Sequence, residues 1–202
     1  MVTPLNNLNV PLAIDPKTTA LVQIDLQHSN LGRPLAPHSG SQVVENSVRL
    51  ASAFRQLGGT VIFVRVDVTQ LLRLSADAPL MRPLDAPPLP PNACDLVPEA
   101  MVQDGDLTVT KKQWGAFHGT DLEQQLRRRH IRTIVLTGIA TNIGVESTAR
   151  AAYDLGYELL FVEDAMSGIS AEEHRFAIEH MFVRMGHVRR TATVLHSLGS
   201  LE

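Results

Sequence analysis

The sequence is poor in the residues that build cross-linked, membrane-spanning or nucleic-acid-binding proteins. Among its 202 residues there is one cysteine, Cys94, which excludes an intrachain disulfide and a cysteine-rich metal site. No stretch approaches the roughly 20 consecutive apolar residues that cross a bilayer. Residues 1–19 hold three prolines and several polar side chains, where a signal peptide would show a basic start and an apolar run. Basic residues are not in excess: 18 Lys and Arg face 21 Asp and Glu, a net charge of −3. That balance argues against nucleic acid and membrane surfaces as partners, since both need a basic face. The densest basic run, Arg127-Arg128-Arg129, falls at the end of a predicted helix, where cations complement the helix dipole. Proline is absent after Pro98, while seven of the twelve prolines lie between Pro79 and Pro98. What remains is the expectation of a cytoplasmic protein with a small-molecule substrate.

With 44% hydrophobic and 19% charged residues, the chain has the balance of a globular protein, and its length suits a single domain over 1–202. Short apolar runs alternate with amphipathic helical patterns, which predicts βαβ units and a parallel sheet. Strands are expected at 20–24, 60–66, 107–109, 133–137 and 159–162, with a last short one near 187–190. Helices are expected at 41–57, at 120–130 behind a Thr120/Glu123 capping box, from Gly144 or Val145 to about 155, and at 170–185 behind a Ser170/Glu173 box. The Pro-rich interval 68–106 fits neither pattern. An excursion of that length reads as a lid or an oligomer contact.

Ligands of open α/β sheets bind outside the carboxyl ends of the strands. Three polar features are placed there: Asp25, Lys111, and the turn Thr141-Asn142-Ile143-Gly144. Each also has a plain structural reading. Asp25 suits a loop or N-cap carboxylate, and Lys111 a surface lysine beside Lys112. The small residues after Gly144 suit close helix–sheet packing as well as an anion site at a helix N-terminus. Spacing alone does not choose.

Longer segments do. Gln23-Ile24-Asp25-Leu26-Gln27, then Lys111 ahead of Trp114-Gly115-Ala116-Phe117-His118-Gly119-Thr120-Asp121-Leu122, and then Gly138-Ile139-Ala140-Thr141-Asn142-Ile143-Gly144-Val145-Glu146-Ser147-Thr148-Ala149-Arg150 resemble the isochorismatase-like (cysteine hydrolase) family over about 18–194. The resemblance implies a Rossmann-like open parallel sheet of about six strands, flanked by helices on both faces and assembled as a homo-oligomer, a dimer or tetramer. It places Asp25 and Lys111 in the family's catalytic triad and puts Gly144 where amidase members carry the nucleophilic cysteine. It also implies a cis peptide at Ile139–Ala140 and an oxyanion hole from the amides of Ala140 and Gly144.

Glycine has no side chain, so no thioester can form at position 144. Isochorismatases share that glycine. In them the aspartate is a general acid that protonates the enolpyruvyl methylene carbon of a vinyl ether, which calls for a carboxyl pKa raised by burial. They also carry an aromatic residue and a histidine in this turn, where this chain has Ala140 and Asn142. The surrounding text is closer to the cysteine-bearing branch, which points away from isochorismate itself. Three readings stand: cysteine-independent hydrolysis of a small anionic metabolite, amide hydrolysis by water, and a silent binding or scaffold protein.

Around the pocket, Gln27, Arg65, Trp114, Phe117 and Asn142 are the candidate substrate contacts; Arg65 suits a substrate carboxylate or an internal salt bridge, and Trp114 and Phe117 suit pocket walls or core. Nicotinamidase members add a metal bound by an Asp and several His after the second strand. Asp67 stands near that place, but 68–100 contains no histidine, so the expectation is a site without metal or cofactor.

Overall fold

The computed structural model describes residues 7–79 and 85–199. Strand β1 (Thr19–Ile24) is buried at all six positions, as expected of a strand covered on both faces. It leads through the short helix α1 (His28–Leu31) to α2 (Gly40–Gln56), whose Ser39 cap accepts a hydrogen bond from the Gln42 amide at 3.2 Å. Strand β2 (Thr60–Val66), a 3₁₀ turn (Pro98–Ala100), β3 (Leu107–Lys111), α3 (Leu122–Arg128) and β4 (Thr133–Ile139) follow. A π-helical turn (Thr141–Val145) then opens α4 (Glu146–Asp154). The rest is β5 (Glu158–Ser167), α5 (Ala171–Phe176), a second π-helical turn (Ala177–Phe182), α6 (Val183–Met185), β6 (His187–Arg189) and α7 (Thr191–Gly199).

The six strands form one parallel sheet in the order β3-β2-β1-β4-β5-β6. Alternate strand residues feed two cores. Leu21, Phe63 and Val135 pack beneath α2 and α7, against Leu50, Phe54 and Val194. Val22, Ile62 and Leu136 pack on the other face with Ala149, Ala152 and Ile178. On that face Phe161 stacks on Phe182 at 4.1 Å between ring centroids. Full burial of one such side chain contributes roughly 2–3 kcal/mol. Among the described residues no helix is long and apolar enough to cross a membrane.

Strand order reverses between β1 and β4, the place where open α/β sheets form their ligand crevice. The two strands close up there because Gly138, paired with Ile24, adopts φ +112°. A Cβ at Gly138 would lie 2.0 Å from the Ile24 carbonyl oxygen. No side chain fits.

Several sequence expectations need correction. The Thr120/Glu123 capping box is incomplete: Thr120 Oγ1 accepts from the Leu122 amide at 3.2 Å and donates to the Ala116 carbonyl, and α3 begins at Leu122 with Asp121 at its N-cap. At Ser170 the serine half of the box forms, its Oγ accepting from the amides of Glu172 and Glu173. β5 runs five residues beyond 162, past an irregularity in its pairing between Leu136 and Gly138 of β4. The interval 68–106 returns along the carboxyl edge of the sheet. There Val97 donates to the Leu26 carbonyl, and His28 and Ser29 donate to those of Asp95 and Ala93. One of its prolines, Pro83, lies outside the described residues.

Candidate active site

A small cavity of about 110 Å³ opens at the strand-order reversal. Asp25 comes from the end of β1, Lys111 from the end of β3, and Ile139, Ala140, Ile143 and Gly144 from the turn after β4. Asp25 is held in the left-handed region, φ +53°, a conformation that aspartate tolerates better than most residues. Its amide donates to the Val64 carbonyl at 2.8 Å, and its own carbonyl accepts from Asn30 Nδ2 at 3.1 Å.

The two charged side chains meet. Lys111 Nζ lies 2.8 Å from Asp25 Oδ2 and donates to the Trp114 carbonyl at 2.6 Å. Lysine is almost never buried unless paired, yet Lys111 is 1% exposed. Asp25 Oδ1 is buried without a hydrogen-bond partner among the described residues. Burial pushes the Asp25 carboxyl up to about 6, against the charge and hydrogen bond of Lys111, which pull it down. The pair thus holds an acid able to exchange a proton near neutral pH.

Gly144 completes this corner. A Cβ there would lie 3.1 Å from Lys111 Nζ, 3.2 Å from Asp25 Oδ2 and 3.1 Å from Ile24 Cγ2. The peptide between Ile139 and Ala140 is cis. Behind the turn, Thr148 Oγ1 donates to the Gly144 carbonyl at 2.7 Å and accepts from the Ala116 amide at 3.1 Å. Those bonds pin the turn to the loop after β3.

The remaining candidates separate into two groups. Trp114 is at the cavity, 55% exposed, as part of its rim. Gln27, Arg65, Phe117 and Asn142 are not among the residues lining it. Gln27 is fully buried: its Nε2 donates to the carbonyls of Val66 and Cys94 and its Oε1 accepts from the Val66 amide, so it ties the Pro-rich interval to β2. Arg65 bonds Thr110 Oγ1 and lies 3.8 Å from Asp95, because its neighbour Val66 takes the cavity side of β2. Phe117 packs on the core beside Tyr157. Asn142 borders a separate surface depression with Ser170 and His180. Cys94 does not line the cavity; its thiol contacts Asp67 at 3.7 Å.

Sequence reasoning missed Arg33, Leu35 and Ile169, which line the cavity from loops around α1 and after β5. Arg33 Nε donates to the Ser29 carbonyl, which fixes a guanidinium at the mouth. No strand periodicity marks such loop positions. Val68 and Leu71, at the start of the Pro-rich interval, also line this chain's own cavity. Near the end of β2, Asp67 Oδ1 accepts from the amide and hydroxyl of Thr69.

The Isochorismatase domain pattern matches residues 19–193, nearly all of the described chain. The chain belongs to the isochorismatase family. An uncharacterized isochorismatase family protein of Bacillus subtilis, YwoC, is 48% identical over 198 residues, covering 96% of this chain and 99% of the relative. The ureidoacrylate amidohydrolase RutB of Variovorax paradoxus is 32% identical, covering 77% of this chain and 71% of that protein. A solved isochorismatase family protein from Burkholderia thailandensis superposes with a TM-score of 0.86 at 45% identity, covering 93% and 98% of the two chains. The parallel six-stranded sheet is the fold of that family, and the chain is one of its hydrolases.

Proposed function

We propose that this isochorismatase-family hydrolase cleaves a small anionic metabolite without a covalent intermediate at position 144, with Asp25 as general acid and base. The observation that carries the reading is the Asp25–Lys111 pair, closed against Gly144. Asp25 lies in a cavity and has one carboxyl oxygen without a hydrogen-bond partner among the described residues. A carboxyl titrating near 6 suits both proton donation and proton removal at neutral pH. Lys111 and Arg33 supply positive charge for a substrate carboxylate. With an enolpyruvyl ether, Asp25 protonates the methylene carbon, water adds to the oxocarbenium carbon, and the hemiketal collapses to pyruvate and an alcohol.

Likeness to ureidoacrylate amidohydrolase supports a second reading, hydrolysis of a C–N bond. Here Asp25 removes a proton from water, the water oxygen attacks the acyl carbon, and the amides of Ala140 and Gly144 face the resulting oxyanion. A panel of isochorismate, other enolpyruvyl ethers, ureido acids and small amides, read by pyruvate and ammonia release, separates the two. Pyruvate release abolished by Asp25→Asn supports the ether reaction. Ammonia release that survives Cys94→Ala supports the amide reaction. No turnover across the panel, with a ligand still raising the melting temperature, would leave a binding protein.

A further inference from the structure

Three side chains distant in sequence converge behind the catalytic turn. His38 precedes α2, Glu163 lies in β5, and His174 lies in α5. One ligand atom from each lies within 4.8 Å of the other two, the sole such His/Cys/Asp/Glu group among the described residues. Glu163 Oε1 is 2.7 Å from His38 Nε2 and 3.5 Å from His174 Nε2. His174 is 3% exposed, yet among the described residues its Nε2 has no hydrogen-bond partner, and neither does Glu163 Oε2. Its other nitrogen, Nδ1, is 2.8 Å from Thr141 Oγ1. That bond holds the ring so that Nε2 faces the carboxylate.

We propose that His38, Glu163 and His174 form a divalent transition-metal site, best matched to zinc. Two imidazoles and one carboxylate are a common zinc donor set, which leaves a position for water. Ligand atoms around a tetrahedral zinc stand roughly 3.3–3.5 Å apart, given bond lengths of about 2.0–2.1 Å. The Glu163–His174 spacing already matches. The His38–Glu163 contact is a hydrogen bond of 2.7 Å and has to widen by about 0.6–0.8 Å as the metal replaces its proton, which leaves to solvent. A ligating histidine almost always donates its other ring N–H to an oxygen acceptor, a role the Thr141 hydroxyl takes here. Arg190 Nε stands 3.6 Å from Glu163 Oε2 and leaves Oε1 to the metal, while the neighbouring Asp164 is occupied by Thr191.

None of the three ligands lines the substrate cavity, so the ion would not touch substrate. It would brace the cavity wall. Thr141 directly follows Ala140 of the catalytic turn, and Ala36 pairs with Gly168, between Leu35 and Ile169 of the cavity lining.

Chelator-treated full-length protein titrated with Zn²⁺ alone in a calorimeter tests this. One zinc per chain is expected, with a rise in melting temperature. Co²⁺ should give visible d–d absorption of a nitrogen/oxygen site. His38→Ala, at the more exposed end, and His174→Gln should each weaken binding more than about tenfold. Circular dichroism of both variants confirms that they remain folded. If His174→Gln fails to fold, His38→Ala decides alone. Absence of stoichiometric uptake, with the trio remaining a protonated hydrogen-bonded group, overturns the proposal. So does uptake that both variants leave undiminished.

Discussion

Gly144 presents its bare Cα to the Lys111 ammonium, with only 3.1 Å between Nζ and the place a Cβ would take. The glycine lies outside the positive-φ region, so an L side chain meets crowding there but not backbone strain. Gly144→Cys should therefore fold, at a cost of about 1–3 kcal/mol while Ile24 and the ion pair shift. The new thiol would stand beside a buried cation, which favours thiolate. In a Cys94→Ala background it should react with iodoacetamide faster at pH 7 than Cys94 does in the unaltered protein. Equal or slower alkylation would mean that the Lys111 charge does not reach the site.

The Asp25 carboxyl ties stability to pH. The folded chain binds this proton more tightly than the unfolded chain does, because burial raises the value from 3.8 to about 6. The stabilisation from that proton is complete below about 3.8 and is lost as pH rises through about 6. Asp25→Asn has no proton to lose. Between pH 4 and pH 8 the natural protein should thus lose about 2 kcal/mol relative to the variant in urea titrations. A constant difference across that range would show that the carboxyl titrates normally.

Two arginines exchange the roles that sequence position gives them. Arg33 lines the cavity and Arg65 does not. With whichever substrate the panel identifies, Arg33→Ala should raise KM about tenfold or more. Arg65→Ala should leave it within about twofold, since Arg65 does not line the cavity. A larger effect at Arg65 would place the substrate carboxylate on the far side of β2.

Gln27 is a structural clamp with three hydrogen bonds of 2.7–2.9 Å inside the fold. Gln27→Ala leaves the Val66 amide and two carbonyls without those partners and should lower unfolding stability by about 2–4 kcal/mol. Activity per folded molecule should persist below the melting transition. Loss of activity with unchanged stability would return Gln27 to the substrate.

The sheet was legible because buried parallel strands leave long apolar runs, and β2 was read to the residue at Thr60–Val66. Asp25, Lys111 and the turn were legible because strand ends converge on one crevice. Side-chain direction was not. Arg65 and Val66 are adjacent, and a period of two sends them to opposite faces, so proximity to a strand end is a poor guide to the pocket. At Thr120 the hydroxyl does accept from the Leu122 amide, but the helix starts one residue later than the box places it, with Asp121 at its N-cap. His38 and Glu163 stand 125 positions apart and meet only after α2 has packed on β5.

Gly138 and Gly144 frame the proposed reaction centre with opposite tolerances. At Gly138 even a methyl group would collide with the Ile24 backbone and wedge β1 from β4. At Gly144 a side chain would press only on movable atoms. Variation in this chain can therefore rewrite its reactivity through one codon while the neighbouring glycine keeps the crevice shut to change. A saturation library at the two positions should return survivors almost wholly from one of them, and new catalysts, if any arise, would start there.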